Sequence, residues 1–337
     1  METRGSRRGA LLAAALLAAL AGMLTALLPD AGSSGRARPL ADSGHSGQPA
    51  RTPADADAGP QSSDLASRVD AYTSLFSASA SYRIPDAARR RALADGVTQL
   101  LDSRPEQAAR TVERVGYRLS EFVDQGSGRR VAEIADASPQ SAAERGWGRV
   151  YLDLSAKTSW VVQVPHPVFD SRTEALGVEL FRAAPGGVFV LAGAHRKAGA
   201  DGSSDPAHRT DTVFAAVIEA LAGRGLPAIQ LHGFDEGSLP GQDAVVSVGT
   251  AAPGPAAQLT ADGLGRAGFA VCRAWRDRCG HLEGTTNVEG RFAADLGVPW
   301  LHVELANALR TDAQQRSRVA AALAATARSW SGATAAS

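Results

Sequence analysis

A histidine and a carboxylate lie close together in the chain, where a predicted strand gives way to a predicted helix. His166 follows the apolar run 160–164, which has the length and β-branched content of a buried strand. Glu174 falls in the first turn of the helix that we predict over 172–184. This corner therefore presents two types of metal ligand at the carboxyl end of a strand, where α/β sheets place their sites.

The same corner also has a purely structural interpretation. Ser171 and Glu174 have the spacing of a capping box, in which the glutamate satisfies a backbone N–H at the start of the helix. Asp170 is an alternative carboxylate ligand, although we expect it to cap the helix instead. The corner alone therefore indicates a helix cap as readily as a metal site, and the residues downstream favour the metal site.

Two further predicted strands end in residues of the same types. His232 closes the run 227–232, and Glu304 closes the run 299–304. Because the carboxyl ends of parallel strands open onto one edge of a sheet, we expect both side chains to lie near His166. The order along the chain is then His, Glu, His, Glu.

This order of residues predicts a zinc hydrolase site. Two imidazoles and one carboxylate, from His166, His232 and Glu174, would hold zinc and leave one position open for water. Zinc lowers the pKa of such a water to about 7. A further carboxylate must take the proton of the water and deliver it to the leaving amine, and Glu304 suits that role because a strand end is a rigid mount.

Other polar residues are candidates for supporting the site or binding substrate. Gln230 shares a strand face with His232, and His302 shares one with Glu304, because side chains alternate along a strand. Basic residues could also neutralise a substrate carboxylate, and the candidates are Arg196, Arg209 and Arg310.

The residues quoted above resemble the zinc-dependent N-acetylmuramoyl-L-alanine amidases of bacterial cell walls, over 160–305. The resemblance implies that His166, Glu174 and His232 bind zinc and that Glu304 is the catalytic base. It also implies an amide bond in peptidoglycan, or in another peptide-like envelope polymer, as the substrate.

Two arginines strengthen that resemblance, because Arg196 and Arg209 occupy positions similar to those of two arginines in the amidases. One departure is that His166 lies between two prolines rather than in a glycine-rich turn.

The sequence resembles, more loosely, the zinc carboxypeptidases, the phage-type poly-γ-glutamate hydrolases and the N-formylglutamate amidohydrolases. A carboxypeptidase-like or poly-γ-glutamate hydrolase-like enzyme is therefore one alternative, and a non-catalytic ligand-binding protein of the envelope is another.

The overall composition argues against a nucleic-acid partner. The 337 residues include 35 Lys and Arg and 35 Asp and Glu, so the formal net charge is zero. A protein that binds a polyanion normally carries a basic excess on one face or in one segment. The chain is long enough for one large domain or two ordinary ones.

The N-terminus predicts export. Arg4, Arg7 and Arg8 precede an apolar run over 10–28, which is the order of a secretory signal, so we interpret 1–30 as a signal peptide or a retained anchor. Residues 31–64 have almost no large apolar side chains and are predicted to be a disordered linker. We therefore expect a secreted protein or one anchored on the outer side of the cytoplasmic membrane, with membrane contact only through that anchor.

The only two cysteines are close in sequence. In an exported protein, Cys272 and Cys279 most simply form a local disulfide. A thiolate metal site is the alternative, and His281 is the only other candidate ligand nearby.

The fold class follows from the alternation of strand and helix patterns over 159–330. Such alternation predicts an α/β domain with a mostly parallel sheet and helices on both faces. The preceding segment, 65–158, is predicted to form helices and a β-hairpin, with the turn over 124–128. Nothing in that segment suggests chemistry.

Overall fold

Ten strands form one sheet in the computed structural model, which describes residues 60–333. They are β1 (Ser62–Ser63), β2 (Tyr117–Asp124), β3 (Arg130–Asp136), β4 (Arg149–Asp153), β5 (Trp160–Val164), β6 (Gly187–Leu191), β7 (Ala228–Phe234), β8 (Ala244–Ser247), β9 (Val271–Arg273) and β10 (Trp300–Ala306). The helices are α1 (Leu65–Thr73), α2 (Ala87–Leu101), α3 (Pro105–Glu113), α4 (Pro139–Arg145), α5 (Thr173–Ala183), α6 (Val213–Ala222), α7 (Pro255–Arg266), α8 (Val288–Asp295), α9 (Asn307–Thr311) and α10 (Ala313–Ala333).

The predicted signal segment 1–30 lies outside the described residues, as does 31–59 of the predicted linker. Among residues 60–333, no helix has both the length and the apolar character needed to cross a membrane.

The strand order confirms an α/β fold with a mostly parallel sheet. The order is β1-β2-β3-β4-β6-β5-β7-β10-β8-β9. At its centre β6, β5, β7 and β10 all run parallel. The predicted hairpin is β2 and β3, which pair antiparallel, and β4 then pairs antiparallel with both β3 and β6. The sheet therefore continues from the segment 65–158 into the segment 159–330.

Helices cover both faces of the sheet, as predicted, and they bury side chains of the central strands on each side. On β5, Val162 belongs to one apolar cluster and Val161 to the other. The first cluster includes residues of α5, α7 and α10, and the second includes residues of α2, α3 and α6. Alternate residues of one buried strand thus serve two cores.

One of the later strands runs against its neighbour. β8 pairs antiparallel with β10, although β9 then pairs parallel with β8. The connection from β7 to β8 contains a single 3-10 turn, Glu236–Ser238, instead of a helix. A parallel return normally needs a crossover of a dozen or more residues, so this short connection sends β8 back in the opposite direction.

The arrangement of β5, β7 and β10 determines where the candidate site lies. These strands are adjacent and parallel, with Glu304 opposite His232 and Gln163 opposite Gln230 in the register. Their carboxyl ends therefore meet at one edge of the sheet, as the sequence predicts.

Candidate metal centre

Three buried side chains bring ligand atoms together at that edge. One ligand atom from each of His166, Asp170 and His232 lies within 4.8 Å of the other two. Asp170 Oδ2 is 3.2 Å from His166 Nδ1 and 3.3 Å from His232 Nδ1. Ligands bound tetrahedrally to zinc at their usual bond lengths lie about 3.3 Å apart, so the donor types and these two distances fit zinc.

A tight turn after β5 brings Asp170 to His166. The Asp170 N–H donates to the His166 carbonyl at 2.9 Å, and Val168 between them has a φ angle of +69°. Helix α5 begins after Arg172, which provides no side-chain cap. The expectation that Asp170 caps this helix is therefore wrong, because its carboxylate faces the two imidazoles instead.

The structure also corrects the predicted ligand set at Glu174. This side chain is buried, but its Oε2 accepts a hydrogen bond of 3.1 Å from the Val168 N–H. Glu174 does not belong to the group formed by the two histidines and Asp170. The backbone role that the sequence left open is the one observed, although the N–H it satisfies belongs to the turn before the helix.

A second carboxylate supports His166 from the opposite side. Asp205 Oδ1 lies 2.8 Å from His166 Nε2, while the other oxygen of Asp205 pairs with Arg196 and lies 3.3 Å from His208 Nδ1. A metal-binding histidine usually donates its second N–H to such an acceptor, which fixes the ring and leaves the other nitrogen free for the metal. Asp205 has this position relative to His166.

The electrostatics of the group favour a positive charge at its centre. Burial alone would lower the pKa of His166, but the carboxylates of Asp170 and Asp205 outweigh it and raise the pKa to about 9. Burial lowers the pKa of His232 to about 4, and the neighbouring His302 contributes to the same shift. Burial opposes ionisation of Asp170, yet the two adjacent histidines hold its pKa well below the usual range.

Glu304 lies beside this group with one oxygen free. Its exposure is 8%, and its Oε2 has no hydrogen-bond partner among the described residues. Its Oε1 lies 3.4 Å from Nε2 of His302, whose ring centroid is 4.4 Å from that of His232. A buried oxygen without a partner is unfavourable in a finished core, and Glu304 is one of the residues that line a cavity.

The cavity has a volume of about 540 Å³, which is within the usual range for small-molecule sites. His166, Asp170, His232 and Glu304 form part of its wall, and the loop 280–287 forms another part. The metal-ligand group and Glu304 line the same cavity, which makes this the candidate functional site.

Comparisons with known proteins identify no close relative. No known family and no curated protein matches the chain. Among solved structures, a bacteriophage poly-γ-glutamate hydrolase aligns with a TM-score of 0.38 and 14% identity, over 52% of this chain and 85% of that one. A proposed carboxypeptidase from Burkholderia mallei aligns with a TM-score of 0.39 and 14% identity, over 69% and 68%. A proposed metallopeptidase from Shewanella denitrificans aligns with a TM-score of 0.33 and 13% identity, over 74% and 95%. Similarities at this level establish no shared activity.

The three candidate arginines have different environments. Arg196 lines the cavity, paired with Asp205. Arg209 forms two hydrogen bonds with Asp211 and is not among the residues that line the cavity. Arg310 is buried, and its guanidinium donates to the backbone carbonyls of Leu305, Ser171 and Phe234. Arg310 therefore has a structural role rather than the substrate contact considered from the sequence.

The predicted disulfide between Cys272 and Cys279 is present, so the alternative of a thiolate metal site is excluded. The second cysteine of this disulfide, Cys279, immediately precedes the loop 280–287. His281, the other candidate ligand for a thiolate metal site, is exposed but contributes to the cavity wall.

Proposed function

We propose that this protein is an exported zinc-dependent hydrolase that cleaves an amide bond in a peptide-like substrate. His166, Asp170 and His232 would hold the metal. The single observation that supports this most directly is the position of Asp170 Oδ2, which lies within 3.3 Å of Nδ1 on both histidines. The resemblance to amidases would then extend to two of the three predicted ligands, with Asp170 in place of Glu174.

The chemistry needs one proton carrier beside the metal. Zinc, when bound, acts as a Lewis acid towards a carbonyl oxygen and makes water reactive at neutral pH. Glu304 offers its free Oε2 to take a proton from the attacking water, and it then delivers that proton to the leaving nitrogen. His302, 3.4 Å from the other oxygen, would orient this carboxylate and contact substrate.

The volume of the cavity and the charged residues in its wall indicate what kind of substrate would bind. A volume of about 540 Å³ accommodates a short peptide-like segment rather than a folded protein. Arg196 would contact a polar group of the substrate, while Arg209 lies outside the cavity wall and would act only indirectly. Peptidoglycan or another peptide-like envelope polymer is our proposed substrate.

Export is supported by two features of the chain. The segment 1–30 has a basic head followed by an apolar run. The disulfide between Cys272 and Cys279 belongs to an oxidising compartment. We therefore place the protein outside the cytoplasmic membrane, secreted or anchored.

Metal analysis of the purified protein tests the proposal. We expect one zinc per chain, lost on treatment with a chelator and on replacing His166, Asp170 or His232 by Ala. Glu219→Ala is a suitable control, because Glu219 is exposed on α6. A protein that contains no stoichiometric metal and binds none when zinc is added would contradict the proposal and favour a non-catalytic binding protein.

A carboxypeptidase-like activity is the second candidate, and the position of Arg196 favours it. Enzymes of that kind need a cation that binds a terminal carboxylate, and Arg196 is the one candidate arginine in the cavity wall. Turnover of peptides with free and with amidated C-termini separates the two activities. Arg196→Gln should raise KM only for the free acids if the second candidate is correct.

A further inference from the structure

A buried polar network lies beneath His232 and takes no part in the proposed chemistry. None of its five members is more than 4% exposed, and they come from β5, β7, β10 and the start of α8: Gln163, Gln230, Asn287, Glu289 and Trp300. Buried amides that are held at both ends have only one allowed orientation, so the network can be read as a chain of donors and acceptors.

One end of the network is fixed by helix α8. The Oδ1 atom of Asn287 accepts hydrogen bonds from the backbone N–H groups of Glu289 and Gly290, at 3.0 and 3.1 Å. Backbone N–H groups are always donors, so the oxygen of Asn287 must face the helix. The amide nitrogen of Asn287 then donates to Gln230 Oε1 at 2.5 Å.

The other end is fixed by an indole. Trp300 Nε1, which is always a donor, lies 3.2 Å from Gln163 Oε1. Gln163 therefore presents its oxygen, and Gln230 Nε2 donates to that oxygen at 3.0 Å. Gln230 Nε2 also lies 3.3 Å from Glu289 Oε2. Both ends independently require the same orientation of the Gln230 amide. The hydrogen bonds therefore assign which of its two terminal atoms is the oxygen and which is the nitrogen.

The orientation of Gln230 determines the state of His232. Gln230 Oε1 lies 2.7 Å from His232 Nε2, and an amide oxygen can only accept, so Nε2 must carry a proton. A neutral His232 then has its lone pair on Nδ1, the atom 3.3 Å from Asp170 Oδ2. We propose that Asn287 and Gln230 are positioning residues that hold His232 as its Nε2-protonated tautomer, which makes Nδ1 the metal-binding atom.

The ligand role of Nδ1 rests on the proposed metal function, but the tautomer itself does not. It can therefore be measured in metal-free protein by nitrogen NMR of 15N-labelled histidines, with the His232 signals assigned by their loss in His232→Ala. We expect the wild-type protein to show the Nε2-protonated form.

Asn287→Asp weakens the network with a minimal change in shape. Aspartate still caps α8, but it offers only acceptors and no longer donates to Gln230 Oε1. Gln163, which Trp300 fixes, still opposes a reversal of the Gln230 amide. We therefore expect His232 to keep its proton on Nε2 but to be held less firmly for metal binding. Asn307→Asp is the matched control, because it makes the same chemical change at a residue outside the network.

The expected outcome is an Nε2-protonated His232 in the wild-type protein and a fall in zinc affinity of about 10- to 100-fold in Asn287→Asp, with no such fall in Asn307→Asp. An Nδ1-protonated His232 in the wild-type protein overturns the inference, and so does an unchanged zinc affinity in folded Asn287→Asp. If Asn287→Asp does not fold, the wild-type tautomer still decides. An Nε2-protonated wild-type His232 in a protein that binds no zinc would refute the metal proposal alone.

Discussion

Glu174 accepts a hydrogen bond of 3.1 Å from the backbone N–H of Val168, whose φ angle is +69°. A β-branched residue rarely adopts a positive φ, because its side chain crowds the backbone there. The turn that brings Asp170 to His166 is therefore strained, and Glu174 stabilises it without belonging to the metal-ligand group.

Two substitutions at Glu174 distinguish a role in the turn from a role as a ligand. Glu174→Gln keeps an oxygen that can accept from Val168, whereas Glu174→Ala removes it. We expect Glu174→Gln to bind zinc nearly as well as the wild-type protein and Glu174→Ala to bind about tenfold more weakly. Competition with a chromophoric chelator measures both affinities. Equal loss in the two variants would instead identify Glu174 as a ligand.

The strand ends explain which parts of the site could be predicted. His166, His232 and Glu304 follow runs of buried residues, and parallel strands bring such positions to one edge regardless of their separation in sequence. The choice between Asp170 and Glu174 could not be made in this way. It depends on the positive φ of Val168, which no periodicity in the sequence reveals.

The roles of other residues at the site could not be predicted from the sequence, because they depend on partners that are distant in the chain. Asp205 lies in a loop rich in glycine and serine, and only the folded chain places it 2.8 Å from His166. Asn287 caps α8, a local role, but its bond to Gln230 joins residues that are far apart in the chain. Arg310 was predicted to be able to contact substrate, whereas hydrogen bonds to three backbone carbonyls hold it in the core.

Glu304→Gln tests the proposed proton transfer separately from metal binding. Glutamine has nearly the same shape but cannot take a proton at neutral pH, so we expect full zinc content and a loss of kcat of about 100-fold or more. The measurement is turnover of an amide substrate together with zinc content. Glu219→Gln, on the exposed face of α6, should change neither quantity. A Glu304→Gln variant with wild-type turnover would remove Glu304 from the mechanism.

Gly233 is expected to be intolerant of a side chain, because a Cβ atom there would overlap the guanidinium of Arg310. That guanidinium is held by backbone carbonyls and cannot move away cheaply. We expect Gly233→Ala to lower the free energy of unfolding by about 1–3 kcal/mol, as measured by urea denaturation. Gly237→Ala is the matched control, since a Cβ atom there meets nothing within 4 Å. Equal stability of the two variants would show that Arg310 can rearrange.

Glu289 makes the stability of the fold depend on pH. Its carboxyl group is fully buried, and its Oε1 has no hydrogen-bond partner among the described residues. Burial raises its pKa from 4.5 to about 8. Between these values the folded protein keeps a proton that the unfolded chain has lost, so stability falls as the pH rises through this window and levels off above it.

The contribution of Glu289 can be isolated with Glu289→Gln, which stays neutral at every pH. Relative to the wild-type protein, this variant should gain stability as the pH rises from about 5 to 8, by up to about 1.4 kcal/mol per pH unit. Urea denaturation of metal-free protein at several pH values measures the difference, and Glu219→Gln controls for loss of a carboxylate at an exposed position. A difference that does not change with pH would mean that Glu289 is ionised in the folded protein, and the hydrogen bond from Gln230 would then hold a buried charge.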